Sequence, residues 1–484
     1  MSPKSPSHTL KHPSPKMPLP PRPRPKVLIV GAGLGGLMLG ILLDKIGVPY
    51  HIYERALEVK PLGALMSFSG NVLRLFEQLG MLEEVLSISI PSANSQIYSE
   101  DMDLLADLGI PGYESLSGYM TIFFARPDMY RLIRSKVPPQ NITMDKKVVS
   151  VIDTPQSIKI LCSDDTSYEG DILVGADGAY STIRREMHAR LEKKGLLSEA
   201  DKQDFTVPYV CMVGTTTARD PEKYPELKDS VAHLYHIIGN STRYSWTTIT
   251  IPKNRICWSV MAQVKSESEA SQLRLSSTEW GPEAAESMIK EVHDFPIKLG
   301  GGGGILGDII DATPPDVVSK VMLEEKLFEQ WSHGRIVLIG DGQGAINAMQ
   351  DALILTNCIY DLPDLSLPTL TSTFKDYHFQ RYEHAKCCIA SSKLNAKISS
   401  GQTWAEKVIR YLVFNFLPKW IQVRTFTQHV VYRPQASFLP VVEDRGSVAS
   451  LPQKPSWRYQ AELDATAAAA AAAAAKAGPA AHEL

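Results

Sequence analysis

The sequence predicts a mixed α/β chain: an open, mostly parallel sheet first, an antiparallel sheet second, and helices last. Three observations predict it. Apolar runs at Val27–Val30, Asp171–Gly175 and Arg335–Gly340 lead into glycines, as expected of strands covered on both faces of a parallel sheet. From about Phe205 to Val264 the pattern changes to alternation rich in β-branched and aromatic residues, notably Tyr244-Ser-Trp-Thr-Thr-Ile-Thr-Ile. That is the signal of antiparallel strands in a second domain. Beyond Pro368 the chain reads as mostly helical.

The bulk composition permits this plan and narrows the function. A chain of 484 residues suits two or three domains, and 44% hydrophobic with 21% charged residues is ordinary for a globular protein. A net charge of -3 gives no reason to expect nucleic acid as a partner. The six cysteines are scattered without C-x-x-C spacing, and Cys387 and Cys388 are adjacent, so idle or buried thiols are expected rather than disulfides. Residues 1–25 hold nine prolines and no apolar stretch ahead of a cleavage site, which predicts a disordered arm and no secretory signal. The expected location is cytoplasmic or peripheral to a membrane.

Element by element, Val27–Val30 is a buried strand, followed by glycines and a helix to about Lys45. Gly47 ends that helix, and Tyr50–Glu54 forms the second strand of a βαβ unit. Asn71–Leu79 and Asp128–Val137 read as helices. The five glycines 300–304 predict a mobile surface loop. A helix follows Arg335–Gly340 from about Gln343 to Cys358, and Thr403-Trp-Ala-Glu406 has capping-box spacing. Nine alanines at 467–475 lie in a tail expected to be disordered.

The chemistry-bearing motif is Gly31-Ala-Gly33-Leu-Gly35-Gly36, placed after a strand and opening a helix. Gly31 permits the tight turn, Gly33 lets a pyrophosphate approach the backbone, and Gly36 lets helix and strand pack closely. The helix N-terminus adds free N–H groups and a positive partial charge. Glu54, at the end of the second strand and 18 residues past Gly36, can accept ribose hydroxyls. This Rossmann-like pattern implies a dinucleotide but does not by itself separate NAD from FAD.

Two later segments do. Gly175-Ala-Asp177-Gly178-Ala-Tyr-Ser181-Thr-Ile-Arg184 and Gly334-Arg-Ile-Val-Leu-Ile-Gly340-Asp341 resemble motifs of the FAD-dependent, aromatic-hydroxylase-like monooxygenases, which share the para-hydroxybenzoate hydroxylase fold. The subgroup resembled is the fungal paxilline-type epoxidases. The resemblance runs from about Val27 to Ser447 and includes Arg126-Pro-Asp-Met-Tyr-Arg131, Gln343-Gly-Ala-Ile-Asn347 and Tyr432-Arg-Pro-Gln-Ala-Ser-Phe-Leu-Pro440. It implies a discontinuous FAD-binding domain at 26–187 and 320–365, a substrate-binding sheet at 188–319, a helical region at 366–447 and the tail at 448–484. It implies bound FAD, transient NAD(P)H, and epoxidation or hydroxylation of a lipophilic, isoprenoid-type small molecule. Carried over residue by residue, Glu54 binds the adenosine ribose, Gly63 and Ala64 line the cofactor, and Arg126 contacts the flavin. Asp177 with Gly178 sits near the pyrophosphate and helps dock the nicotinamide cofactor. Asp341 holds the ribityl chain, and the helix end at Gly344-Ala345 points at the flavin. The sequence shows no metal-ligand cluster and no catalytic triad, as fits a reaction whose reactivity belongs to the cofactor. Tyr235 and Tyr244 are among many aromatics on the substrate sheet, and the sequence leaves open which of them faces the flavin.

The chain departs from the resembled pattern at one place. There the Gly-Asp strand end is followed by several loop residues, whereas here Asp341 runs directly into Gly342-Gln343-Gly344. Three residues span at most roughly 10 Å, so Asp341 and Gly344 cannot hold widely separated stations. A catalytically impaired flavin-fold protein is therefore an alternative, as is a flavin- or NAD-dependent dehydrogenase. A last feature, 404–421, is apolar almost all round yet contains Arg410, Pro418 and Lys419 and is too short to span a bilayer. It suits either a helix in a membrane interface or one packed on the flavin domain.

Overall fold

A computed structural model describes residues 21–59, 65–107, 113–203, 205–264, 266, 269, 282–340, 344–400, 403–416 and 418–477. Its first sheet has six strands in the order Ser332–His333, Ile336–Leu338, Ile172–Gly175, Val27–Val30, Tyr50–Tyr53, Ile142–Thr143. All neighbours run parallel except the first pair. Val27–Val30 lies at the centre with every residue buried, which is why it reads as an unbroken apolar run. The helix Leu34–Lys45 is apolar on all sides because it is covered on all sides: Leu34 through Leu43 are buried. Its outer face lies on the helix Gly344–Tyr360, so closely that a Cβ on Gly35 would stand 2.8 Å from that of Ala348. Gly47, at φ +61, ends the turn before the second strand, as expected.

The second sheet runs Ser319–Glu325, Thr206–Thr215, Arg255–Gln263, Tyr244–Ile251, Ala232–Ile238, Ile90–Ser99, Ile122–Ala125, Leu65–Phe68, with Leu104–Asp107 beside Ile90–Ser99. It is antiparallel apart from one pair. This sheet draws on more of the chain than residues 188–319. Four strands between Leu65 and Ala125 and the strand from Ser319 join it, so the segment between the second and third parallel strands is an excursion into the other domain. Short half-buried strands separated by helices carry no local sign of which sheet they complete, so the boundaries expected at 187 and 320 do not match the sheets.

Two further expectations are corrected. The alanine-rich segment is not disordered: Trp457–Ala477 is a helix. Alanine is the best helix former, and the start is anchored, with Ser456 Oγ donating to Asp361 Oδ1 at 2.5 Å and the Trp457 indole to the Asp361 carbonyl at 3.1 Å. Nor do the five glycines form a free loop. Gly300 and Gly301 make a left-handed turn at φ +71 and +82, the Gly300 N–H donates to Glu226, and Gly304–Ile305 pairs with Pro296–Ile297. The capping box forms as read: Thr403 Oγ1 accepts from the Glu406 N–H, and Glu406 Oε2 accepts from the Thr403 N–H. The arm before residue 21 and the tail beyond 477 lie outside the described residues.

Candidate active site

The carboxyl ends of Val27–Val30, Tyr50–Tyr53 and Ile172–Gly175 meet at one edge of the parallel sheet, where such folds place their ligands. Gly31 turns the chain at φ +108, and a Cβ there would stand 2.4 Å from the Ala176 carbonyl oxygen. Gly36 is tighter still, its missing Cβ lying 2.1 Å from the Gly31 oxygen. Gly33 is different. It is the N-cap of the helix Leu34–Lys45, no side chain caps that end, and nothing lies within 4 Å of where its Cβ would be. The first two glycines are thus filled by the protein itself, while the third keeps space open in front of uncapped N–H groups.

Glu54 sits beside this turn. Its carboxylate accepts from the Ala32 N–H at 2.8 Å and the Ala56 N–H at 2.9 Å. An ionised carboxylate has about four lone-pair sites, so half its capacity is free for hydroxyl groups. These features fit the adenosine half of a flavin dinucleotide: an open cradle for its pyrophosphate and an oriented acid for its ribose.

A cavity of about 1500 Å³ begins at Gly31, Ala32, Gly33 and Glu54. It passes Arg126, Asp177 and Gly178 and ends on the antiparallel sheet. There it is floored by side chains from seven strands, among them Ile97, Cys211, His236, Thr247, Ser259 and Ser319. Asn395, Ile398 and Ser399, at the end of the long helix Leu367–Ser400, and Phe414 of the helix Trp404–Phe416 close it from above.

Most residues singled out from the sequence therefore converge. Gly31, Gly33, Glu54, Arg126, Asp177 and Gly178 all line the cavity, and Gly36 packs behind it. Burial lowers the basicity of Arg126, though a guanidinium stays charged. Asp177 has a local task. Its carboxylate accepts from Ser181 Oγ at 2.5 Å and from the Thr182 N–H at 2.6 Å, which caps the helix Thr182–Lys193. Burial raises its pKa against those hydrogen bonds. Gly344 and Ala345 begin the helix Gly344–Tyr360 but are not among the cavity-lining residues. Gly63, Ala64 and Asp341 lie outside the described residues.

Tyr235 and Tyr244 face away from the cavity. Tyr235 meets Tyr98 edge-on, and the Tyr244 hydroxyl donates to Glu291 at 2.5 Å. The cavity face instead carries His236 and Thr247, which the sequence reading did not single out. Strand periodicity was the available signal, since residues of opposite parity take opposite faces. Missed too were Lys146, Lys147 and Arg185 at the nucleotide end and the roof residues 395–399 and 414.

Comparison with known proteins supports the same assignment. Residues 24–211 match the family described as FAD binding domain. The FAD-dependent monooxygenase ausM of Penicillium brasilianum is 27% identical over 417 residues, covering 81% of this chain and 82% of its own. The FAD-dependent monooxygenase andE of Emericella variicolor is 28% identical over 413 residues, 80% and 83% of the two chains. The chain is a relative of the FAD-dependent monooxygenases. Among solved structures, Klebsiella pneumoniae HpxO complexed with FAD and uric acid superposes with a TM-score of 0.66 at 16% identity, covering 84% of this chain and 97% of that one. CtdE in complex with FAD and a substrate gives 0.62 at 16%, with 84% and 99% covered. At such identities the solved structures speak for the fold, and this monooxygenase relative shares it. Its helices include none long and apolar enough to cross a membrane among the described residues.

Proposed function

We propose that this flavoenzyme uses NAD(P)H and O2 to put one oxygen atom into a lipophilic small molecule of isoprenoid type, by epoxidation or hydroxylation. One observation carries the reading. A single cavity joins the open Gly33 cradle to a sheet face of mixed apolar and polar side chains roofed by helices, so a dinucleotide and a second, largely apolar molecule fit end to end. Bound FAD would supply the redox chemistry between the reduced nicotinamide and oxygen. Glu54 would hold the ribose and the N-terminus of Leu34–Lys45 the pyrophosphate. Arg126 would place positive charge at the middle of the cavity, where the flavin ring and substrate adjoin. Ile398 and Phe414 would keep water from the substrate end.

The helix Trp404–Phe416 supports a second element of the proposal, shallow contact with a bilayer. Trp404, Val408, Tyr411, Leu412 and Phe416 are exposed, while Arg410 is buried with its guanidinium 3.4 Å from the Ile398 carbonyl. An apolar outer face on a helix that also roofs the cavity suits a substrate arriving from lipid. Co-flotation with phosphatidylcholine–phosphatidylserine vesicles, lost on Phe416→Ser with Leu412→Ser, tests this; a protein that stays in the aqueous fraction sinks it.

The activity is tested by purifying the chain and adding FAD. The expected result is a yellow protein that oxidises NADPH and takes up O2 faster when an isoprenoid alcohol is present. A protein that remains colourless with excess FAD would defeat the reading. A yellow protein that never turns over would favour the impaired alternative, and one that turns over without oxygen uptake would be a dehydrogenase.

A further inference from the structure

The floor of the substrate end is ordered in a way the sequence does not display. Strand registers align His236 with Thr247, Thr247 with Ser259, Ser259 with Val213, and Val213 with Ser319. All five line the cavity. With Ile97, which pairs with His236 and also lines the cavity, they make one rung across six strands, polar at four of six positions. The adjoining cavity-facing rungs are mostly apolar: Leu234, Ile249 and Cys257 on one side, with Ser95 beyond Leu234, and Met261, Cys211 and Val321 on the other.

The hydrogen bonds give this rung a polarity. His236 Nε2 lies 3.0 Å from the Ser399 backbone oxygen, which can only accept, so Nε2 carries the proton. Its Nδ1, 2.7 Å from Thr247 Oγ1, is then the acceptor, and the single hydroxyl proton of Thr247 is committed to it. Burial, with the nearby Arg410 charge, favours the neutral imidazole that this arrangement requires. Thr247 therefore offers the cavity lone pairs only. At the far end Ser319 is 1% exposed, and its Oγ has no hydrogen-bond partner.

We propose that this rung is the recognition stripe for an oxygenated substrate: an apolar body lying across the flanking rungs, with an alcohol group donating its proton to Thr247. The assignment rests on the lipophilic-substrate reading above and sharpens it, since it excludes hydrocarbons and fully capped ethers as good ligands. His236 is a positioning residue that fixes the donor direction of Thr247 and ties the stripe to the roof at Ser399.

The test uses the FAD-loaded protein and two probes, geranylgeraniol and its O-methyl ether, with binding read from the flavin absorbance change. The alcohol should bind on the order of tenfold tighter than the ether, the worth of about one hydrogen bond. In Thr247→Val that preference should fall to about one while the ether binds as before, and Thr247→Ser should restore it. Equal binding of both probes by the unaltered enzyme, or a preference that survives Thr247→Val, overturns the stripe and leaves the lipophilic-substrate reading intact. Failure of either probe to bind overturns both. Loss of flavin absorbance in the valine variant would show instead a merely structural role for Thr247, and would likewise overturn the assignment.

Discussion

The two ends of the cavity are built from different materials. At the nucleotide end the ligand surface is mostly backbone: a glycine turn, the uncapped N-terminus of Leu34–Lys45 and one carboxylate held by two N–H groups. At the substrate end it is mostly side chain, contributed by seven strands and two helices far apart in sequence. Backbone geometry at a turn demands particular residues at fixed spacing, and so it can be read. A sheet face demands only that alternate residues fit, and many sets do. The difference explains why one end resembles so many proteins and the other can specialise.

That contrast assumes the two ends are rigidly joined, and the joint is identifiable. Arg381, on the long helix that ends in the roof, has no exposed surface, and neither in effect has Asp351. Their ion pair is 2.6 Å long, and the guanidinium also reaches Gln350 and Asn347. Asp351 in turn accepts from the Gly340 N–H at 2.9 Å, at the end of a parallel strand. Removing one partner of such a pair leaves a buried charge uncompensated, at about 3–5 kcal/mol. Arg381→Met should therefore lower unfolding free energy by that amount in a denaturant titration. A loss under about 1 kcal/mol would mean that roof and nucleotide domain are separate units, and the comparison would need recasting.

The backbone character of the nucleotide end is sharpened by Gly33→Val. Gly33 has φ -71 and open space where its Cβ would be, so the apo protein should tolerate the side chain. The valine would occupy the pyrophosphate cradle. FAD affinity should fall at least a hundredfold, roughly 2.7 kcal/mol, with the apo melting temperature nearly unchanged. Gly36→Ala would lose both, because its Cβ meets the Gly31 oxygen at 2.1 Å. Should Gly33→Val bind FAD normally, the cradle is not where the ligand lies.

A pH effect probes the long helix that carries the roof. Burial, with Arg381 and His429 nearby, pushes the pKa of His384 down to about 3. Its ring stacks on Tyr432 at 3.9 Å. Unfolded, the same group titrates near 6.5. Below that pH the unfolded chain takes up a proton that the folded one refuses, so the contribution of neutral His384 is complete above about pH 6.5 and is lost as pH falls toward 3. Stability should decline with a slope of at most about 1.4 kcal/mol per pH unit from this group, and His384→Gln should flatten it. An unchanged slope would place the acid sensitivity elsewhere.

What could be read in advance follows the same division. Gly31, Gly33 and Glu54 are legible because each answers to a local constraint, whereas Arg126, Asp177 and Gly178 follow from the family resemblance; all six line the cavity. His236, Thr247 and Ser319 are not, because their importance arises from the register of strands far apart in the chain, Val213 pairing with Ser319 across 106 residues. The helix of Trp457–Ala477 is hidden for a different reason: low complexity reads as disorder, although alanine runs are helical once an end is anchored.

The smallest expected effect is also informative. Tyr235 neighbours His236 in sequence but points to the other side of the sheet, against Tyr98 at 6.1 Å between ring centres. Tyr235→Phe keeps the ring and removes only the hydroxyl. Alternation predicts that probe affinity and NADPH oxidation should stay within about twofold of the unaltered enzyme, since no atom of the cavity surface changes. A tenfold loss would mean that the strand Ala232–Ile238 presents the opposite parity to the ligand, a one-residue slip that turns every side chain over. It would carry His236 off the cavity face with it, so this conservative substitution tests the register on which the substrate end depends.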